Sequence, residues 1–144
     1  MRYSFHRGVE AQKVAYWVAE RIPGCERSFG PCVAMSVGTP TVGAVVFHNY
    51  SPEFGVMEMS AAADSPRWLS RPVLRAMHSY IFNDAGCQLA VMRVSEQNER
   101  MLRIAAAYGY QAHRIPRLRG RNEAEIVLTL TDDDWKVSRF HGKA

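Results

Sequence analysis

Apolar and polar positions alternate along the chain with two different periods, and residues 54–82 contain both. A strand pattern over 54–62 leads through an Asp-Ser-Pro loop into an amphipathic helix. Arg71, Arg75 and His78 lie away from the apolar side of that helix. The residues that form the apolar side, at helical spacing, are Leu69, Val73, Met77, Tyr80 and Ile81. The stretch therefore predicts a strand, a tight loop and a helix in direct succession.

The same two periods assign elements to the rest of the chain. Turn residues at 38–41 (Gly-Thr-Pro-Thr) and 51–53 (Ser-Pro-Glu) join three consecutive strands as antiparallel hairpins. A right-handed crossover after the central helix places the next strand parallel to the strand over 54–62. The other predicted strands are 1–6, 32–37, 42–50, 88–95, 111–118 and 125–131, the other helices are 8–22 and 98–108, and 25–30 is a polar connection. The predicted order is β-α-β-β-β-α-β-α-β-β, followed by a surface tail anchored by Trp135.

The loop before the central helix predicts an anion-binding site. A helix N-terminus leaves backbone N–H groups unpaired, and the helix dipole adds partial positive charge there. Arg67 and Arg71 stand at the same end. A pyrophosphate is the anion that such an arrangement suits. The alternative is that both arginines are solvated residues at the start of a helix.

Length and composition limit the class of protein. The 144 residues are predicted to form one domain, spanning 1–144, and a hydrophobic content of 47% with 22% charged residues is typical of globular proteins. The net charge of +4 suits an anionic ligand at least as readily as nucleic acid, and a plain soluble surface more readily than either. No apolar run approaches about 20 residues, so no membrane span is predicted. Cys25, Cys32 and Cys87 form no Cys-x-x-Cys pair, which predicts reduced thiols, no metal site and a cytoplasmic location.

Four short motifs follow one another along the chain: VGAVV at 42–46, VMEMSAA at 56–62, PRWLSR at 66–71, and AYGY at 107–110 after Asn98. In this order they resemble the GNAT N-acetyltransferase superfamily, and the chain looks most similar to the short GNAT-like proteins of phage and prophage genomes. The resemblance covers about residues 42–130. It implies an α/β fold with a mixed, mostly antiparallel sheet of about six or seven strands. That sheet is flanked by helices and splayed between its fourth and fifth strands.

The resemblance also implies a place for acetyl-CoA in the gap of the splayed sheet. The pantetheine arm would pair with the backbone of the fourth strand, and the pyrophosphate would lie on the loop that opens the central helix. The implied cofactor-binding residues are Met59, Ser60, Ala61, Arg67, Ser70, Arg71 and Asn98. Asn98 has a second interpretation as the N-cap of its helix.

The chain departs from the family pattern at three positions. Ser70 and Pro72 stand where the phosphate loop of the family has small residues, usually glycine. Proline has no backbone N–H, so one phosphate donor is lost. Ala105 stands where many GNAT enzymes carry a tyrosine that protonates the leaving thiolate. Tyr108 is three residues further on, and at a helix end it is more simply a packing residue.

Glu58 is the candidate catalytic base. It stands in mid-strand among apolar neighbours, where burying a carboxylate is costly unless it is paired or protonated. Some GNAT enzymes place a glutamate base on this strand, so the resemblance implies that role here. A structural salt bridge and an exposed position are the two alternatives.

The resemblance implies an acetyl-CoA-dependent N-acetyltransferase, with no metal and with an amine of a small molecule or a protein as the acceptor. The alternative is a catalytically silent GNAT fold that binds a protein partner, which the altered phosphate loop supports. We do not expect nucleic acid as a partner, because the basic residues are not interleaved with aromatic ones. A homodimer is allowed, and a phage-encoded protein would act in the host cytoplasm.

Other polar residues are open to more than one interpretation. His48, His78 and His113 have no partner at a recognisable spacing, which favours surface or core roles. Ser95 ends a strand, where it caps the strand end or approaches the pantetheine. The arginines of the last hairpin form a solvated face or attract an acidic partner. They are Arg114, Arg117, Arg119 and Arg121.

Overall fold

The computed structural model describes residues 1–25 and 29–138 and arranges them around one mixed β-sheet. In these residues the sheet has seven strands in the order β1-β2-β3-β4-β5-β7-β6. The strands are β1 (Tyr3–His6), β2 (Val33–Val37), β3 (Gly43–Ser51), β4 (Val56–Ala63), β5 (Leu89–Ser95), β6 (Gln111–Ile115) and β7 (Glu125–Thr131). The helices are α1 (Gly8–Ala19), α2 (Arg71–Ser79), α3 (Glu99–Tyr108) and α4 (Asp132–Val137).

Two short helical segments flank α2. A 3₁₀ turn over Pro66–Trp68 precedes it, and a π-helical segment over Tyr80–Asp84 follows it. Within the described ranges, no helix has both the length and the apolar character that crossing a membrane requires.

The β4–β5 pair is parallel and short, and its neighbours in the sheet are antiparallel. Pairing starts at Val56 with Leu89 and ends at Met59 with Met92. Beyond that point β4 continues against β3 and β5 continues against β7, so the two halves of the sheet diverge. The predicted mixed sheet, splayed between its fourth and fifth strands, is confirmed.

Side chains along each strand alternate between the two faces of the sheet. Helices cover both of these faces. On one face, Ala15 and Val18 of α1 pack against Ala44 and Val46 of β3. On the other face, α2 and α3 contribute to the main core, which holds Val73, Met77 and Ala105 with Met57 and Met59 of β4. The even-numbered residues of β4 therefore face α1, and the odd-numbered ones face α2 and α3.

A β-bulge in β3 fixes which residues of β3 and β4 face each other. His48 is opposite Glu58, but Ser51 is opposite Val56, so β3 uses one residue more than β4 between the two pairs. Asn49 lies in the bulge with a left-handed backbone, at φ 50°. Asparagine tolerates that conformation better than most residues do.

The tail is the expected surface segment with Trp135 buried, and after Thr131 it forms the helix α4. Thr131 caps α4 by accepting a hydrogen bond from Asp134 N at 3.1 Å. The strand expected over 111–118 ends at Ile115. The expected polar connection over 25–30 lies partly outside the described residues, as does the tail after Ser138.

His78 is also placed differently from the expectation that it lies off the apolar side of the helix. It is 1% exposed and donates from Nδ1 to the Leu74 carbonyl at 2.8 Å. Its Nε2 therefore accepts from the Tyr110 hydroxyl, at 2.6 Å. Burial, partly offset by the Leu74 hydrogen bond, lowers the pKa of His78 to about 4. His78 is a core residue with its polar atoms satisfied.

Candidate active site

The gap between β4 and β5 exposes a length of strand edge inside the protein. Ser60 still pairs with Val46 of β3, and Ala61 with Val45, so β4 stays extended along the gap. An unpaired strand edge presents backbone N–H and C=O groups to an extended ligand. Met59, Ser60 and Ala61, predicted to pair with a pantetheine arm, lie where the gap begins.

Glu58 lies one residue before the last β4–β5 pair, on the face of the sheet that α1 covers. Its side chain is 17% exposed. Asn49 donates from Nδ2 to Glu58 Oε1 at 2.9 Å. The other carboxylate oxygen, Oε2, lies 3.8 Å from Nε2 of His48. One side chain of β3 thus holds the carboxylate and a second lies beside it, and the carboxylate stays within reach of solvent.

His48 completes a polar cluster with Glu58 and Ser60. Its Nε2 lies 2.8 Å from Ser60 Oγ, and its ring packs at 4.8 Å from the ring of Phe29. Burial lowers the pKa of His48, although the negative charge of Glu58 opposes that shift. The neutral imidazole is therefore favoured near pH 7.

Sequence reasoning missed His48, because a residue ten positions from Glu58 shows no spacing that links the two. The only available signal was the hairpin between β3 and β4. Without the bulge, the register that pairs Ser51 with Val56 would continue to place His48 opposite Met59 rather than opposite Glu58. The bulge shifts the register by one residue, which exchanges the faces of the sheet.

The loop between β4 and α2 is held in place by Trp68. Trp68 is 6% exposed, and a Cβ on Gly43 would lie 2.5 Å from two of its ring carbons. Only glycine at position 43 allows this approach. Trp68 therefore fixes the loop against the sheet, with its neighbour Arg67 exposed.

The start of α2 carries the predicted phosphate-binding residues. Ser70 is the N-cap, and its Oγ accepts from Val73 N at 3.4 Å. Arg71 and Pro72 follow in the first turn and are exposed. Because Arg67 precedes the helix on the same loop, both arginines stand at the positive end of the helix dipole.

Asn98 and Tyr108 stand at the two ends of α3. Asn98 is the N-cap and accepts from Met101 N at 3.3 Å. Tyr108 is 3% exposed, and its hydroxyl accepts from Trp135 Nε1 at 3.0 Å. Its ring lies 4.5 Å from that of His78, and burial raises its pKa. Tyr108 thus packs in the core.

A small apolar cavity lies under the start of the gap, between β4, α2 and α3. Its volume is about 20 Å³, which is close to that of one water-sized probe. Met59, Ala61, Met92, Ala105 and Tyr108 contribute to its wall. The sheet beside the start of the gap is therefore apolar on the face that α2 and α3 cover.

The far side of the gap is charged. Arg93 of β5 pairs with Glu125 of β7 at 2.8 Å, and Arg119 approaches the other oxygen of Glu125 at 3.3 Å. The hydrogen bond to Glu125 raises the pKa of Arg93, and Glu58 adds to the effect. Ser95 donates to Glu123 at 2.6 Å. These pairs tie β5 to β7 and hold the far half of the sheet together.

A second and larger cavity, the side pocket, lies at the sheet edge beside the end of β3. Its volume is about 380 Å³. Its wall is formed by Phe29, Pro31, Cys32, Val33, Phe47, Asn49, Tyr50, Met57 and Tyr80. Asn49, which holds Glu58, thus belongs to the pocket and to the carboxylate site at once.

Proteins similar to this chain were found by comparing structures. The sequence matches no protein-family model and no curated protein. A chimera of the spermidine N-acetyltransferase SpeG from Vibrio cholerae and hSSAT matches with a TM-score of 0.73 at 9% identity, over 94% of this chain and 99% of that one. A GCN5-related N-acetyltransferase from Brucella melitensis matches with a TM-score of 0.59 at 17% identity, over 72% of this chain and 52% of that one.

A presumed acetyltransferase matches with a TM-score of 0.64 at 17% identity, over 85% of this chain and 65% of that one. The chain therefore spans less than two thirds of the length of some of the structures that it matches. At these identities the likeness shows the fold. The chain has the GNAT acetyltransferase fold, in agreement with the resemblance drawn from its motifs.

Proposed function

We propose that this protein is an acetyl-CoA-dependent N-acetyltransferase that moves an acetyl group to an amine. The observation that carries the proposal is the position of Glu58 relative to the sheet gap. Glu58 lies immediately before the point where β4 and β5 separate, Asn49 donates a hydrogen bond to its carboxylate, and His48 lies beside it. A proton acceptor and an opened strand edge therefore occur side by side.

Glu58 acts as the general base in the proposed reaction. Its carboxylate takes a proton from the ammonium group of the acceptor, directly or through one water. The amine nitrogen then forms a bond to the thioester carbonyl carbon, and backbone N–H groups of β4 stabilise the negative charge on the oxygen. The carbon–sulfur bond breaks, the amide forms, and the second amine proton neutralises the departing thiolate.

The residues around the gap fit acetyl-CoA, which supplies the acetyl thioester when bound. Ser60 and Ala61 offer an extended backbone to the pantetheine arm. Arg67 and Arg71 offer positive charge at the start of α2, where Ser70 caps the helix. The missing N–H of Pro72 leaves more of the phosphate binding to the two arginines.

The acceptor is an amine of a small molecule or a protein. Spermidine is the substrate in the name of one structural neighbour, and it is one candidate here. Likeness of fold alone does not choose the acceptor, because functional sites vary on a common fold.

Two measurements with purified protein test the proposal. A thermal-shift titration with acetyl-CoA should stabilise the fold, by about 2.7 kcal/mol at a hundred times its Kd. A screen of amines and peptides with radiolabelled acetyl-CoA should yield an acetylated product. No thermal shift up to millimolar acetyl-CoA, together with no product, would overturn the proposal.

The second candidate is a catalytically silent GNAT fold that binds a protein partner. The hydroxyl of Ser70 already serves to cap α2, and Pro72 has no N–H, so the phosphate loop keeps fewer donors than the family pattern has. A silent binder should show neither hydrolysis of acetyl-CoA nor transfer. The similarity to phage and prophage proteins, the cytoplasmic location and a homodimer stay predictions.

A further inference from the structure

The side pocket is suited to an uncharged apolar group. Its volume of about 380 Å³ falls within the range of about 300–1,000 Å³ that is usual for ligand pockets. Four aromatic rings contribute to its wall: those of Phe29, Phe47, Tyr50 and Tyr80. Among the described residues, no Asp, Glu, Lys or Arg lines it. The second ammonium group of a polyamine acceptor would therefore find no charged side chain in the wall of this pocket.

Asn49 connects the side pocket to the carboxylate of Glu58. The bulge turns Asn49 into a left-handed conformation at φ 50°, which lets one side chain border the pocket and still reach across to β4. Its Nδ2 donates to Glu58 Oε1 at 2.9 Å. The thickness of one amide side chain therefore separates the pocket from the candidate base.

Phe29 makes a second connection. Its ring lines the pocket and also packs against the ring of His48 at 4.8 Å. His48 in turn lies 3.8 Å from Glu58 Oε2. Two independent contacts, one to each carboxylate oxygen, thus place the same carboxylate beside the aromatic wall.

We propose that the side pocket binds the aromatic or apolar group of the acceptor, and that the acceptor is a primary amine joined to that group by a short linker. The inference rests on the proposed function, and the transfer reaction itself is unchanged. The ammonium end meets Glu58, while the apolar end is removed from water in the pocket. Binding energy from this remote group then aligns the nitrogen at the gap.

The inference is tested by comparing three amines as acceptors for acetyl transfer from acetyl-CoA. They are 2-phenylethylamine, ethylamine and spermidine, and kcat/KM is measured for each. We expect 2-phenylethylamine to exceed ethylamine by about 100-fold or more, because its phenyl ring is removed from water in an apolar pocket. Ethylamine or spermidine performing as well as 2-phenylethylamine would overturn the inference.

A pair of substitutions at Cys32 assigns the preference to the pocket. Cys32→Trp fills the pocket from its wall, whereas Cys32→Ser keeps the size of the side chain. The preference for 2-phenylethylamine should fall at least tenfold in Cys32→Trp and persist in Cys32→Ser. Both variants should keep their thermal shift with acetyl-CoA, which shows that they are folded. A preference that survives in a folded Cys32→Trp protein contradicts the inference.

Direct binding separates this inference from the proposed function. Binding of 2-phenylethylamine is followed by calorimetry in the natural protein and in the two Cys32 variants. One outcome is that 2-phenylethylamine binds, that Cys32→Trp abolishes this binding, and that no amine is acetylated. This outcome supports the ligand class and overturns the proposed acetyl transfer. If neither binding of 2-phenylethylamine nor transfer to any amine is detected, both the inference and the proposed function are overturned.

Discussion

The imidazole of His48 lies across a strand pair from the carboxylate of Glu58, with Nε2 at 3.8 Å from Oε2. His48 is 5% exposed, and burial lowers its pKa. The neutral ring is therefore favoured near pH 7, so His48 adds no positive charge beside the Glu58 carboxylate. This pair is the centre of the proposed mechanism, and it motivates the first prediction.

Glu58→Gln should lower the rate of acetyl transfer by about a hundredfold or more, because it removes the base and keeps the shape. The hydrogen bond from Asn49 survives, since the amide oxygen of glutamine can accept it. The thermal shift with acetyl-CoA should stay nearly unchanged. Glu53→Gln, at an exposed position in the preceding turn, is the matched control and should stay fully active. A fully active Glu58→Gln would remove Glu58 from the mechanism, and an unfolded one would favour the salt-bridge role.

The double variant Arg67→Ala, Arg71→Ala should weaken the binding of CoA more than that of pantetheine, which lacks the pyrophosphate and the nucleotide. The reason is that both arginines stand at the positive end of α2, where an anion is favoured. Calorimetry with both ligands measures the difference. The control variant Arg117→Ala, Arg121→Ala removes the same charge from the exposed β6–β7 connection and should leave both affinities unchanged. Equal losses for CoA and pantetheine would place Arg67 and Arg71 away from the phosphates.

Tyr108→Phe should keep most of the transfer activity. A thiolate is a tolerable leaving group without an acid, because a thiol has a pKa of only about 8.5. We expect the rate to rise with pH to a plateau, without a falling limb near pH 10. Loss of the hydrogen bond from Trp135 should cost about 1 kcal/mol of stability. Tyr16→Phe, at an exposed tyrosine, is the control. A falling limb that disappears in Tyr108→Phe would make Tyr108 the acid.

Stability should fall in acid because His78 is buried as the neutral ring. Its pKa is about 4 in the folded protein and about 6.5 in the unfolded chain. Between these values the unfolded chain binds more protons, so the free energy of unfolding decreases as the pH falls from about 6.5 to 4. Lowering the pH from 7 to 5 should cost about 2 kcal/mol through this residue alone.

Urea unfolding at the two pH values measures this effect. His78→Gln lacks the titrating group, so its loss of stability between pH 7 and pH 5 should be smaller by about the same amount. His113→Gln, in the exposed strand β6, should behave like the natural protein. The same pH dependence in His78→Gln as in the natural protein would contradict the prediction.

Local sequence patterns were sufficient for the order of the elements up to β7, whereas the position of the gap followed from the resemblance to the GNAT superfamily. The apolar side predicted for the central helix is the buried one, with Val73, Met77 and Ile81 in the core. The periodicity of side chains within one element depends on its own backbone, so a single stretch of sequence reveals it. The caps Ser70 and Asn98 are local features of the same kind.

Contacts between distant segments were decided by the tertiary structure. The bulge at Asn49 shifts the register by one residue and thereby pairs His48 with Glu58. The burial of His78 depends on the Tyr110 hydroxyl, 32 positions away. The side pocket combines side chains from the segment before β2, from β3, β4 and the π-helical segment. The periodicity of one segment carries no information about which other segment will pack against it. The elements could therefore be predicted from the sequence. The partners of Glu58 and the pocket beside it became visible only in the fold.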